Sequence, residues 1–318
     1  MGSILVTGAA GFVGSHLCEA LVARGERVIG LDNFDPYYDP GIKRRNLSGL
    51  QDHPGFTLCE GDVRDAGLLK EITAAQTVDR IIHLAALANT RVSVNRAADY
   101  AAVNLGGTVN VLEAAREVGA RQTVFISTSS VYGAADRIPF VEDDPADHPL
   151  TPYPATKRAA ELMSYSYHNL FKLPITVVRL FNVYGPRGRP DMMPYQIARR
   201  LVQGQPIMLF NNGQMRRDWT YISDIVAGII AALDHTTGFN VYNLGRGQPV
   251  LMIDFVRLLE ALTGRQAVID DEPSPPSDPP ITFASVDKAR QAFGYAPTVS
   301  VAEGLAKFWD WFKAQPES

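Results

Sequence analysis

The chain has 318 residues, 46% of them apolar and 20% charged, with a net charge of −4. That length buries a large core and suits one large or two smaller domains, and the balance excludes a disordered chain and a polyanion-binding surface, so nucleic acid is not an expected partner. No apolar run reaches membrane-spanning length, and the N-terminus enters a strand without a basic and then apolar leader, so a cytoplasmic protein with no membrane partner is expected.

The first strand, Ser3-Ile4-Leu5-Val6, runs into Thr7-Gly8-Ala9-Ala10-Gly11-Phe12-Val13-Gly14 and then a helix with apolar positions at Phe12, Val13, Leu17, Ala20 and Leu21. This pattern makes a phosphate cradle. Gly8 lets the chain turn, Gly11 lets backbone approach a pyrophosphate, Gly14 lets helix pack on strand, and the helix N-terminus offers free N–H groups. The next strand, Val28-Ile29-Gly30-Leu31, ends in Asp32, 18 residues beyond Gly14. A carboxylate there accepts from both ribose hydroxyls and repels a 2′-phosphate, favouring NAD over NADP; the alternative is an aspartate that only caps a turn. Cys18 and Cys59 lie in a helix-like and a strand-like segment without paired or metal-ligand spacing, and read as reduced core residues with no metal implied.

Asn33 to Leu50 is polar and irregular and reads as a surface excursion. Phe56-Thr57-Leu58-Cys59-Glu60 reads as a strand, and Gly61 to Asp65 as a turn in which Asp62 bonds an adenine amino group and Val63 packs on the ring, or in which both serve a simple cap. Arg80-Ile81-Ile82-His83-Leu84 is a fourth strand, ending in the small Ala85 and Ala86; His83 reads as a satisfied core histidine. Val92 to Val118 reads as one long helix interrupted near Asn104-Leu105-Gly106-Gly107, where Asn104 on an apolar face needs a partner.

Gln122-Thr123-Val124-Phe125-Ile126 forms the next strand and ends in Ser127-Thr128-Ser129-Ser130. Strand ends are where open parallel sheets bind ligands, and four hydroxyls in a row exceed what a turn requires. Pro152 and Pro154 fit the first turn of a helix carrying Tyr153 and Lys157, which share a face at a spacing of four. An ammonium and an oxidised nicotinamide beside that phenol favour its ionised form and make it a base near neutrality, well below the ordinary value of about 10. The same spacing occurs on ordinary solvated helices, so its weight comes from the rest of the chain. Ile175 to Leu180 is a sixth strand, and the alternation of strand and helix to about residue 180 predicts an α/β doubly wound parallel sheet. Beyond it, shorter elements rich in Pro and Gly predict a smaller mixed α/β domain with a helix over 191–203, a strand near 207–210 and a proline-rich loop over 273–280. The helix from Ser223 and the strand Val241-Tyr242-Asn243-Leu244 are expected to return to the first domain.

Taken in order, these features resemble the extended short-chain dehydrogenase/reductase family nearly end to end. Within it the chain looks most like nucleotide-sugar epimerases, above all the UDP-glucuronate 4-epimerases, through Asp35-Pro36-Tyr37-Tyr38-Asp39, Gly185-Pro186-Arg187-Gly188-Arg189-Pro190-Asp191-Met192 and Met215-Arg216-Arg217-Asp218. The resemblance implies a Rossmann NAD-binding domain of residues 1–180, rejoined by about 221–247, and a nucleotide-sugar-binding domain of 181–220 and 248–318. It implies Tyr153 as the base on the sugar 4-hydroxyl, Lys157 on the nicotinamide ribose and Thr128 completing the proton path, with Ser127 and Asn104 in support. Asn33, Leu84, Ala85 and Ala86 join the cofactor contacts. Asn182 and Arg217 fall at the phosphates of a UDP-sugar, Met193 and Phe210 near the uridine, and Asp278 at its ribose. Pro275 stands where relatives often carry an arginine, so one diphosphate contact is missing or comes from elsewhere. A homodimer through helices around 103–118 and 155–170 is also implied.

The implied reaction oxidises carbon 4, rotates the keto sugar and returns hydride to its other face. A 4-keto sugar with a carboxylate on carbon 5 is a β-keto acid, and Ser129, Ser130, Arg189 and Asn182 are the candidates to hold that carboxylate away from an eliminating alignment. Decarboxylating relatives carry Glu at position 130 and dehydratases an Asp-Glu pair at 129–130; this chain has serines. Asn182, where glucuronate epimerases have Thr, keeps UDP-glucose or UDP-N-acetylglucosamine epimerisation as the alternative, with decarboxylation behind it. A non-catalytic dinucleotide-binding scaffold is the reading from a different class, since fold alone establishes no activity.

Overall fold

The computed structural model describes residues 2–133, 137–235, 237–275 and 278–315. Seven parallel strands form its central sheet: β1 (Ser3–Thr7), β2 (Val28–Asp32), β3 (Phe56–Glu60), β4 (Val78–His83), β5 (Gln122–Thr128), β6 (Ile175–Leu180) and β7 (Phe239–Leu244). Their spatial order is β7-β6-β5-β4-β1-β2-β3. β1, β2 and β5 are buried at every residue, as apolar runs in a sheet covered on both faces must be. Alternate side chains point to opposite faces, so Ile4 and Val6 join one core and Leu5 the other. Helices Phe12–Ala23 and Ile222–His235 pack together on the first face; Ala66–Ala75, Gly107–Glu117 and Pro152–Phe171 cover the second.

Strand order reverses between β1 and β4, and the crevice beyond their C-terminal ends is the ligand position such a sheet creates. After β6 the chain builds small two- and three-stranded pieces. Asn182–Tyr184 pairs with Trp219–Tyr221, Ile207–Phe210 with Ile269–Glu272, and Arg216–Arg217 lies between Val250–Leu251 and Ile281–Thr282. Asp218 ties these pieces together: its buried carboxylate accepts from the Arg246, Gly247 and Ala284 N–H groups at 2.8, 3.0 and 3.0 Å.

Several expectations need correction. Residues 33–50 are not only a surface excursion: Pro40–Asn46 is helical, Lys43 and Asn46 are buried, and Asn46 donates to Ala10 O at 3.0 Å. The single long helix is divided into Thr90–Ser93, Ala97–Tyr100, a π-helical turn at Ala101–Gly106 and Gly107–Glu117. The first break comes because Arg96, at φ −136°, leaves helical geometry; the π turn holds Asn104. Ser127 and Thr128 belong to β5 rather than to a loop after it. Cys18 is buried, whereas Cys59 is partly exposed because β3 is an edge strand; both are free. Pro276 and Ser277 of the expected proline-rich loop lie outside the described residues. No helix among the described residues is long and apolar enough to cross a membrane.

Candidate active site

A cleft of about 770 Å³ runs from the β1–β2 edge across the strand ends into the smaller sheets. At its first end lie Gly8, Gly11, Phe12, Val13 and Gly14. Gly8 has φ +73°, and a Cβ there would stand 2.8 Å from the Ala85 N–H; a Cβ at Gly14 would stand 2.0 Å from Gly8 O. No side chain fits at either position, so backbone alone surrounds the mouth of the cradle. Helix Phe12–Ala23 has no side-chain cap, which leaves its first N–H groups for an anion. Asp32 stays buried at the end of β2, accepting from Ala10 N–H at 3.0 Å and Phe34 N–H at 2.8 Å; burial raises its carboxyl above the ordinary value. Asn33 donates to Asp62 at 2.8 Å, and both line the cleft with Val63, Leu84, Ala85 and Ala86. Together these residues fit a dinucleotide.

His83 is a satisfied core histidine, as expected. Ala85 N–H donates to Thr7 Oγ1 and Thr7 to His83 Nδ1 at 2.6 Å, while His83 Nε2–H donates to Thr108, whose hydroxyl donates to Asn104 O. Burial lowers the ring's pKa to about 3 and keeps it neutral, so with Nε2–H given to Thr108 its Nδ1 accepts from Thr7. Asn104 is also behind the site. It does not line the cleft: its amide is spent on Leu87 N–H (2.8 Å), Leu87 O (3.0 Å) and Thr156 Oγ1 (3.1 Å). Its work is to pin the loop after β4 to the Tyr153 helix.

In the middle of the cleft stand Ser127, Thr128, Tyr153 and Lys157. Thr128 hydrogen-bonds Tyr153, whose ring meets Tyr100 edge-on at 6.2 Å. Burial nevertheless raises the Tyr153 phenol above its ordinary value, against the pull of the Thr128 bond and the Arg189 charge. Burial by itself therefore favours the neutral phenol. Lys157 lies over the Phe125 ring at 4.2 Å, and burial lowers its pKa from 10.5 to about 7, partly offset by Glu161. Ser127 donates to Glu161 at 2.6 Å, and Arg179 grips the same carboxylate with Nε at 3.1 Å and Nη2 at 2.8 Å. Ser127 thus orients the helix carrying Tyr153 as well as facing the cleft.

Toward the smaller sheets lie Ser129, Ser130, Asn182, Arg189, Met193 and Phe210. Among the described residues no hydrogen bond engages the hydroxyls of Ser129 and Ser130 or the amide of Asn182. Arg217 donates to Asp278 at 2.6 Å, so two residues expected at one nucleotide already form a pair in the cleft wall. Residue-by-residue reading missed Asp191, which accepts from Arg189, and Tyr37 and Asn89, which both donate to Asp191. Tyr37 and Asp191 stood inside the quoted motifs; nothing local in the sequence marks Asn89.

The family described as the NAD dependent epimerase/dehydratase family matches residues 4–245. The probable UDP-glucuronate 4-epimerase of Rhizobium meliloti (strain 1021) is 39% identical over 327 aligned residues, covering 97% of this chain and 96% of its own. The crystal structure of the Bacillus cereus UDP-glucuronic acid 4-epimerase in complex with UDP-glucuronic acid and NAD is 35% identical, covers 98% of this chain and 99% of its own, and superposes with a TM-score of 0.91. The UDP-glucose 4-epimerase of Thermotoga maritima, solved with UDP-glucose, is 28% identical with a TM-score of 0.90 and 98% coverage of both chains.

The buried lysine has a measurable consequence. The unfolded chain keeps the Lys157 proton to about pH 10.5 and the folded chain releases it near 7, so this group's contribution to stability rises with pH across that window. Lys157→Met should raise the melting midpoint of the cofactor-free protein at pH 6 by about 3 °C or more, with the gain shrinking toward pH 10. Thermal melts between those values check it; a pH-independent gain would contradict the burial argument.

Proposed function

The chain belongs to the NAD dependent epimerase/dehydratase family, and from that premise we propose that it interconverts UDP-glucuronate and UDP-galacturonate by NAD-dependent epimerisation at carbon 4. The observation that carries this reading is one continuous cleft with a dinucleotide cradle at one end, Thr128, Tyr153 and Lys157 in the middle, and the Ser129 and Ser130 hydroxyls and the Nη1 end of Arg189 beyond them. NAD⁺, when bound, supplies the acceptor and then the donor of the hydride, and its positive charge opposes the rise that burial imposes on the phenol. Tyr153 takes the proton of the sugar 4-hydroxyl and later returns it; Thr128, bonded to Tyr153, steadies the phenol, and Lys157 holds the nicotinamide ribose. Between the two hydride steps the 4-keto sugar turns over in the cleft.

Asn182 and Arg217 face the phosphates in this reading, Met193 and Phe210 the uridine, and Asp278 its ribose. Arg91, which lines the cleft and stacks over the Phe210 ring at 5.2 Å, provides the charge that Pro275 does not. The division of labour follows the chain: residues 1–180 with 221–247 bind NAD, and 181–220 with 248–318 bind the nucleotide sugar. Asn104 and Ser127 act by holding the Tyr153 helix and the loop after β4. A reducing cytoplasm suits the two free cysteines.

The Pro152–Phe171 helix leaves Leu162, Tyr165, Leu170 and Phe171 between 49% and 68% exposed. We assign this apolar surface to a homodimer contact made with the Gly107–Glu117 helix. Light scattering should give twice the chain mass, and Leu162→Glu with Leu170→Glu should run as a monomer; a monomeric parent would refute the assignment.

Incubation with UDP-glucuronate and catalytic NAD⁺ should yield an isomer of unchanged mass, inverted at carbon 4 by NMR. Turnover of UDP-glucose or UDP-N-acetylglucosamine instead would favour the neutral-sugar reading that Asn182 supports, and binding without turnover of any UDP-sugar would indicate a scaffold. Ser129→Ala with Ser130→Ala should raise the share of product lighter by carbon dioxide by about tenfold, since a lost charge-assisted hydrogen bond is worth about 1.5–3 kcal/mol. Chromatography with mass detection reads that share; no increase would remove both serines from the carboxylate clamp.

A further inference from the structure

Three loops that leave the sheet at different strand ends meet above the middle of the cleft, at Tyr37 after β2, at Ala88 and Asn89 after β4, and at Arg189 and Asp191 beyond β6. Arg189 donates through Nε to one Asp191 oxygen at 2.9 Å and through Nη2 to the other at 3.1 Å; Nη2 also donates to Ala88 O at 3.0 Å. Both hydrogens of Nη2 and the hydrogen of Nε are therefore spent inside the protein. Nη1 makes no hydrogen bond among the described residues, and Arg189 lines the cleft.

Asp191 is itself held in place. Tyr37 donates to its Oδ2 at 3.0 Å and Asn89 Nδ2 to the same atom at 3.1 Å and to the Tyr37 oxygen at 2.7 Å. The Asn89 amide cannot turn over, because its Oδ1 already accepts from the Arg91 and Val92 N–H groups and caps the following helix. Tyr37 is fixed in turn by a run of Asx turns, in which Asp32 accepts from Phe34, Asn33 from Asp35 and Asp35 from Tyr37. Burial raises the Asp191 carboxyl, but bonds from Arg189, Asn89 and Tyr37 outweigh that and leave it below its ordinary value, so it stays an anion.

From this geometry we infer that Asp191 is a positioning residue that turns Arg189 from a two-pronged carboxylate clamp into a one-point tether. A free guanidinium would take the sugar carboxylate through two parallel N–H bonds and fix its plane. With Asp191 occupying that fork, only the Nη1 end remains for substrate, and the internal carboxylate partly neutralises the charge that the substrate meets. A single-point contact steers the carboxylate yet lets the keto sugar turn between the two hydride steps. The inference rests on the proposed glucuronate reading, and it adds a cost to binding in exchange for rotation.

The test measures binding and turnover separately. In a Tyr153→Phe background, Asp191→Asn should tighten UDP-glucuronate about tenfold while UDP-glucose changes less than about twofold, read by calorimetry with NAD⁺ present. In the otherwise unaltered enzyme, the same substitution should lower KM for UDP-glucuronate and lower kcat at least about tenfold, because a two-pronged grip opposes rotation. Unchanged or weaker UDP-glucuronate binding, or an equal loss for both sugars, overturns the inference and makes Asp191 a structural residue. UDP-glucose binding within range also reports that the variant folds. A parent enzyme that fails to epimerise UDP-glucuronate overturns the proposed reaction instead, since the affinity ratio is read without turnover.

Discussion

The site depends on one buried carboxylate. Glu161 lies one turn below Lys157 on the Pro152–Phe171 helix and takes bonds from Ser127 on β5, Arg179 on β6 and Arg158 on its own helix. Glu161 and Arg179 are each only 1% exposed. Removing one partner of such a buried pair costs about 3–5 kcal/mol, and an alternative register of the helix on the sheet would impose that loss. The pairing thus sets where Tyr153 falls relative to Thr128, a relation that proton transfer cannot tolerate being loose.

Burial that secures this geometry also opposes charge in the middle of the cleft. It raises the Tyr153 phenol and lowers the Lys157 ammonium, so the ionised form of each is disfavoured there. An oxidised dinucleotide brings the missing positive charge into the same low-dielectric space. Under the proposed reaction, cofactor binding and activation of Tyr153 would be one event.

The order of the sheet explains how distant segments serve this one place. Because the strands are parallel, the loops after β2, β4 and β6 all leave the same edge of the sheet, and the reversal of strand order between β1 and β4 opens the crevice they share. Their polar residues satisfy each other there: Tyr37, Asn89 and Arg189 all donate to Asp191, while Asn104 anchors the loop after β4 from below. Each group is held by at least two others, which is what a site of fixed shape in a loop region requires.

Features governed by short-range geometry were legible in the amino-acid order. The Gly8 to Gly14 cradle, Asp32 at a strand end, the hydroxyls ending β5 and the Tyr153–Lys157 pair each depend on neighbours within a few residues, so spacing alone located them. The resemblance to epimerases, carried by whole motifs, supplied the substrate class that spacing could not. The fold decided what depends on contacts between remote segments. That Asn104 supports a loop rather than touching the cleft and that Arg217 is paired with Asp278 involve partners 17 and 61 positions apart, and Asn89, which holds Asp191 against Arg189, lies 102 positions from it. The shifts at Tyr153 and Lys157 were also beyond the sequence, which pointed to the charges that lower the phenol and not to the burial that raises it. Desolvation is set by how helix, sheet and loops close around a side chain, and the order of residues carries no direct measure of that enclosure.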